Sequence, residues 1–505
     1  MRIRARGVRL HTEGLPGCRG LRRARAAVII VMKMRGTAFM LVAVFAGLGP
    51  GAVRAQTPSR AETGLTAGYY FLLGRHLESD GKIEDAISAH EKAIGLDPGS
   101  AELRAELAGL YARQDRAVEA LEAAEAALAR DPANQEANRV LGSVYAAYAN
   151  GRQVLRAGDD PSGYAARAAA ALEKARRDGP SDLAIDLMLG RLYVQTSQFA
   201  KAIPVLRRVV QEQPGYSDAA LLLANAQEAT GETDVAIETL RTSLAINPRF
   251  YRGLVRLGEL SEKQGEWLEA ADAFARAQPL GAGGADLMAR RAAALINAGK
   301  AADARDLLRR AAAEAEADPA VLYLFAVAQR QTGDLAAAEA AARRLRTTAP
   351  QDPRGMYVLA QVLESKGDRT GAEQALREMI ARDPLDATAL NYLGYMFAER
   401  GERLDEAVEL VGRALRVEPD NPSFLDSLGW AYFQQGKIDL ADSPLTRAAE
   451  KLPNSSVVQD HLGDLRFTQK RFADAVAAWK KSLGGDGESI DRARIEQKIR
   501  DAQAR

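Results

Sequence analysis

Prolines recur through this chain at one spacing. Pro98, Pro132, Pro180, Pro214, Pro248, Pro319, Pro350, Pro384, Pro419 and Pro453 each follow an apolar-periodic segment, at steps of 34, 48, 34, 34, 71, 31, 34, 35 and 34 residues. Most steps are a single 34-residue period. The 71 spans a unit ending at Ala282 without a proline, and the 31 arises because Pro319 stands at a neighbouring position of its own unit. Such a period marks a stacked repeat and sets the architecture before any residue-level reading. Aligned on it, the chain has twelve units, starting at 67, 101, 135, 183, 217, 251, 285, 319, 353, 387, 422 and 456.

Each unit places Leu-Gly or Leu-Ala in a first apolar segment, Gly near the middle and Ala in a second segment. Leu73-Gly74, Gly81, Ala86, Ala93 and Pro98 show this early in the chain. Leu428-Gly429, Tyr432, Gly436, Ala441, Ala448 and Pro453 show it late. Two helices of about twelve residues joined by a short turn fill such a unit. The mid-unit glycine suits a turn with positive φ. Small residues let the two backbones approach, where a larger side chain would overpack by roughly 1–3 kcal/mol. The proline stops the second helix, because the residue before it avoids the α conformation. One such hairpin cannot bury its own apolar face, so neighbours must stack. An aromatic content of only 6% fits helices packed through small side chains.

This pattern resembles the tetratricopeptide repeat family over roughly residues 67–489. The resemblance implies an all-α, right-handed superhelical solenoid of about twelve helix-turn-helix repeats. Ile490, Ile495 and Ile499 form an apolar stripe on the charged segment 490–505, the pattern of a C-terminal capping helix. The third unit holds about fourteen extra residues near 148–164, read either as a contact loop or as a tolerated insertion. Pro204 and Pro444 are expected near the start of second helices. Pro279 with Gly281, Gly283 and Gly284 is expected to mark a joint between an N-terminal array, 67–284, and a C-terminal array, 285–489.

The net charge of +1 hides two opposite regions. Residues 1–55 hold ten Arg and one Lys against Glu13, so the remainder is acidic. A phosphate-binding nucleic-acid module is not what the acidic part resembles. Met32-Lys33-Met34-Arg35, the apolar stretch Thr37–Leu48, the breaker Gly49-Pro50-Gly51 and Val53-Arg54-Ala55 follow the order of a secretory signal. Translation is expected to start at Met32 or Met34 and cleavage to fall before Gln56, with 56–66 as a linker. The apolar stretch is short for a membrane span, which leaves an uncleaved anchor as the alternative. Membrane association is expected to be indirect or through that anchor. Gln56, not a cysteine, follows the cut, so direct lipid attachment is not expected. The single cysteine is Cys18. A disulfide framework and a Cys-based zinc site are thereby excluded from the repeats. The localisation implied is the periplasm or the outer-membrane periphery.

No metalloprotease, nucleophile-elbow or phosphate-loop motif occurs, and the histidines are His11, His76, His90 and His461. No catalytic residue, cofactor or metal is therefore expected. His461, beside Asp460 and Asp464, is better read as a packing residue of its helix than as a ligand or catalyst.

In the resembled family, the second, fifth, ninth, twelfth and thirteenth positions of each first helix face inward. Carried onto this chain, the rule gives Tyr323, Tyr357, Gln361, Asn391, Tyr395, Asp426, Trp430, Phe433, Asp460, Asp464 and Phe467 as a partner-binding groove. Aromatics supply contact area at low entropy cost, and acids favour basic or N-terminal peptide groups. The basic clamp that holds a terminal carboxylate in the chaperone-tail subfamily is missing. Trp430 and Tyr395 each follow Leu-Gly and could equally pack between repeats. Asp426 and Asn391 could equally serve inter-repeat hydrogen bonds. Ala389-Leu390-Asn391-Tyr392-Leu393-Gly394-Tyr395, Leu425-Asp426-Ser427-Leu428-Gly429-Trp430 and His461-Leu462-Gly463-Asp464 with Trp479 are similar to envelope tetratricopeptide proteins of Gram-negative bacteria. Some of those are lipoprotein adaptors of periplasmic carboxyl-terminal processing proteases. The implied function is a non-enzymatic adaptor that captures a protein or peptide segment in the concave groove and raises its effective concentration. One alternative is an assembly factor for a secretion, pilus or exopolysaccharide machine. From other classes, the alternatives are a glycan-binding or hydrolytic cell-wall protein using Asp426 and Asp464, and a cytoplasmic regulator.

Overall fold

The computed structural model describes residues 66–505, apart from 150–153, 177–181, 282 and 488–489. The signal region, its cleavage point and the linker up to residue 65 lie outside the described residues. Among the described residues there are 25 α-helices, two short 3-10 turns and no strand.

The helices pair into twelve hairpins, here numbered one to twelve, followed by a final helix, Arg492–Gln503. First helices begin at Ala67, Ala101, Gln135, Leu183, Ser217, Tyr251, Gly284, Pro319, Pro353, Ala387, Pro422 and Ser456. These are the unit starts expected from the sequence, save that repeat seven begins one residue early, at Gly284.

Local chemistry explains the starts and stops. Ser100, Asn134, Asp318, Asp352, Asp386 and Asn421 cap first helices by accepting from an N–H of the first turn. Such a cap is worth about 1 kcal/mol. Pro319, Pro353 and Pro422 stand at the first turn of their helices, where the missing N–H has no partner to lose. That is the origin of the irregular proline step at Pro319. Between the two helices of a repeat the chain passes through the left-handed region, as at Gly333 with φ 84°. Asp115, Ser197 and Lys470 adopt the same conformation without being glycine.

One alanine in each repeat, from Ala86 and Ala120 through Ala304 and Ala338 to Ala475, is 0% exposed. It lies on the second helix, where that helix crosses the first. In several repeats a glycine of the first helix completes the close approach. A Cβ added at Gly429 would sit 2.6 Å from Leu445 Cγ and 3.0 Å from the Leu445 backbone nitrogen. The core is consequently a relay of clusters rather than one body. Leu223 of repeat five packs with the clusters before it, while Leu221 of the same helix packs with repeats six and seven.

Three details differ from or refine the expectation. Pro204 and Pro444 lie inside their helices, Phe199–Glu212 and Ile438–Lys451, rather than at the starts. Both helices run through them and forgo one internal hydrogen bond each. The described part of the insertion is folded back onto its own repeat and the one before it. Leu155 is buried, its N–H donates to the Tyr164 hydroxyl at 2.9 Å, and Arg156 pairs with Glu125 at 3.0 Å. At Gln278–Leu280 the chain makes a 3-10 turn, and the Tyr251 ring closes over Gly281, its hydroxyl reaching Gly283.

First helices of successive repeats lie against one another, as those of repeats ten and eleven do, whereas no two successive second helices pack comparably among the described residues. The stack therefore curves with the first helices on its inner side. None of the described helices is long and apolar enough to cross a membrane.

Candidate functional site

The inner face changes character along the chain. In repeats five to seven it is a ladder of paired charges. Arg256 reaches Glu228 of the preceding repeat at 3.2 Å, and Arg290 reaches Glu262 at 2.6 Å. From repeat eight onward aromatic rings take over. Tyr392 occupies the rung equivalent to Arg256 and Arg290, and its hydroxyl donates to Glu364 at 2.5 Å.

Tyr323, Tyr357, Gln361, Asn391, Tyr395 and Phe433 are partly exposed on this face. Arg354 lies over the Tyr323 ring at 5.5 Å, and the Tyr357 and Tyr392 rings meet at 5.6 Å. Burial raises the Tyr357 phenol pKa, and the Gln361 side chain one turn on opposes that shift. Asn391 Oδ1 is buried with no hydrogen-bond partner. Tyr395 is mostly enclosed; burial first, then the charges of Glu399 and Asp426, pushes its phenol pKa up.

Repeats eleven and twelve hold a tight cluster. Trp430 is only 8% exposed. Its indole stacks on His461 at 3.9 Å and on Phe433 at 5.0 Å. The His461 Nδ1–H faces both carboxylate oxygens of Asp426 at 3.0 Å. Burial disfavours the imidazolium, but the Asp426 carboxylate outweighs burial and leaves the His461 pKa above its ordinary value. Asp426 is thus turned toward His461 across the repeat boundary, not toward solvent.

Asp460 and Asp464 are likewise engaged. Lys498, from the final helix, lies 2.8 Å from Asp460 and 2.7 Å from Asp464. The Trp479 indole donates to Asp464 at 3.2 Å. Burial raises the Asp464 pKa, with Lys498 opposing it. Phe467 is covered by Arg505, 5.3 Å above its ring. The final helix therefore closes the inner face at repeat twelve. Neither Asp426 nor Asp464 is a free carboxylate paired across a cleft, as glycoside hydrolysis requires.

The sequence reasoning passed over Glu364, Glu399, Tyr392 and His461 as groove residues. Glu364 and Glu399 stand at the twelfth and thirteenth positions of their repeats, so the inward-position rule already pointed to both. A cleft of about 790 Å³ lies elsewhere, lined mainly by the first helices of repeats two to four. Its wall is charged, and two of its acids, Glu106 and Glu136, are paired to Arg75 and Arg139. No group of three or more metal-ligating side chains occurs among the described residues.

Two family models, each described as tetratricopeptide repeat, match this helical array. One covers 77–144, 194–250 and 295–362, and the other 162–217, 357–410 and 400–456. The chain is a tetratricopeptide repeat protein. That fold serves as a scaffold for protein–protein interaction. Among curated tetratricopeptide relatives, the TPR repeat-containing protein PA4667 of Pseudomonas aeruginosa is 40% identical over 62 residues, 12% of this chain and 10% of the relative. Protein CTR9 homolog of Arabidopsis thaliana is 33% identical over 86 residues, 17% of this chain and 8% of the relative. The chain thus spans about a tenth of the length of these relatives. Among solved structures, yeast Tom70 is similar with a TM-score of 0.44 at 14% identity, over 87% of this chain and 95% of that one. TTC0263 of Thermus thermophilus is similar with a TM-score of 0.33 at 21% identity, over 37% of this chain and 100% of that one.

Proposed function

We propose that this tetratricopeptide protein is an exported, non-enzymatic adaptor of the bacterial cell envelope. It captures a segment of a partner protein along the inner face of repeats eight to eleven. The observation that carries this reading is the strip of partly exposed aromatics, Tyr323, Tyr357, Tyr395 and Phe433, on four successive first helices. Rings on a rigid scaffold bury large area on binding and lose little conformational freedom. The export half of the reading rests on the signal pattern ahead of Gln56 and on the envelope-like blocks of the last three repeats.

Phe433→Glu tests the groove. The partner that co-purifies with the exported wild-type chain is expected to be lost from this variant. Leu440→Glu, at a position 53% exposed on a second helix, is expected to keep it. The reverse pattern would place the binding surface on the outer face.

A further inference from the structure

The acids on the inner face of the last four repeats are mostly neutralised by the chain's own cations. Asp426 has His461, Asp460 and Asp464 share Lys498, and Glu364 lies 3.4 Å from Arg400. Glu399 is the exception. Its Oε2 accepts the Trp430 indole N–H at 3.1 Å, and its charge is felt by the Tyr395 phenol. The indole donor is neutral. It orients the carboxylate and leaves its charge uncancelled. Among the described residues no cation lies within ion-pair distance of it, and His461, whose charge it influences, is held by Asp426. Glu399 is nevertheless exposed, on the same face of its helix as Tyr395.

We propose that Glu399 is the recognition point for an arginine or lysine side chain of an extended segment bound along the inner face. The proposal deepens the groove reading above and rests on it. Charge complementarity carries it: a fixed anion stands in an aromatic surround from which its own chain withholds a counter-ion. Aromatic walls lower the local dielectric and strengthen a charge-assisted hydrogen bond to an incoming guanidinium or ammonium. Prior orientation by the indole N–H reduces the freedom the carboxylate loses when the cation arrives. The free lone pairs can take the two-pronged contact that a guanidinium makes.

The test uses the whole chain and immobilised pools of decapeptides, randomised except for a central Arg, Lys, Gln or Glu. The wild-type chain is expected to retain the Arg and Lys pools about tenfold better than the Gln pool, the size of one charge-assisted contact. Glu399→Gln keeps an acceptor for the indole and should lose that preference while still retaining the Gln pool. An unchanged preference in Glu399→Gln would overturn the cation subsite alone. Failure of the wild-type chain to retain any pool would overturn the subsite and the groove reading together. Glu399→Lys supplies a readout that misfolding cannot imitate, because it should gain preference for the Glu pool. No such gain would also count against the subsite.

Discussion

His461 sets its Nδ1 at 3.0 Å from both carboxylate oxygens of Asp426, one repeat away, with its ring stacked on Trp430. Each side chain is 7% exposed, so this is a buried inter-repeat ion pair whenever the imidazole is charged. Removing one partner of such a pair costs about 3 kcal/mol. The raised His461 pKa fixes the sign of the pH dependence. The pair's contribution is fully present below the ordinary value of 6.5 and is lost as pH rises through the higher folded-state value. Asp426→Asn should lower stability below that window and flatten the loss above it. Urea unfolding at about pH 6 and about pH 9 measures this. Parallel pH dependences for the two proteins would contradict it.

The buried alanine of each second helix makes a sharper packing prediction. Ala304, 0% exposed, has no room for a longer side chain. Ala304→Leu should destabilise by roughly 1–3 kcal/mol through overpacking. Ala302→Leu, two residues away and exposed, should change stability by less than about 0.5 kcal/mol. Equal denaturation midpoints for the two variants would show that the helix crossing is looser than described.

The turns between helices offer stabilising changes. Ser197 and Lys470 sit at φ 57° and 64°, the conformation glycine holds in most other repeats. Relief of that strain by Ser197→Gly or Lys470→Gly is worth about 1 kcal/mol. The converse change, Gly333→Ala at φ 84°, should cost a similar amount, about 1 kcal/mol. Thermal unfolding of the three variants checks the sign of each.

Export has its own readout. Intact-mass and N-terminal analysis of the protein from a Gram-negative periplasmic extract should give a chain beginning at Gln56. A chain that still carries Thr37–Leu48, or that stays in the cytoplasm, would contradict the signal assignment and the envelope role that depends on it.

The fold was legible because one period of small, apolar and breaker residues repeats twelve times. Errors in any single unit are averaged out by the others. Pro204 and Pro444 were misplaced because local propensity yields to stacking: helices held by both neighbours tolerate a missing hydrogen bond. The groove was less legible. Position rules show which residues face inward, but not what the next repeat sends to meet them. His461 lies 35 residues after Asp426, and Lys498 lies 34 after Asp464. Both offsets are close to one repeat length, so pairing charges across one period would have marked these acids as engaged. The same exercise leaves Glu399 without a partner.

The central claim is that a partner segment lies against the inner face of the late repeats. The most direct test is a photoreactive residue at Phe433 in the full chain, compared with one at Leu440, with irradiation in the cell and mapping of the joined peptides. The account predicts an adduct from position 433 to one partner segment rich in basic residues, and none from position 440. Adducts from position 433 only to neighbouring repeats, with partner peptides joined at position 440, would contradict it.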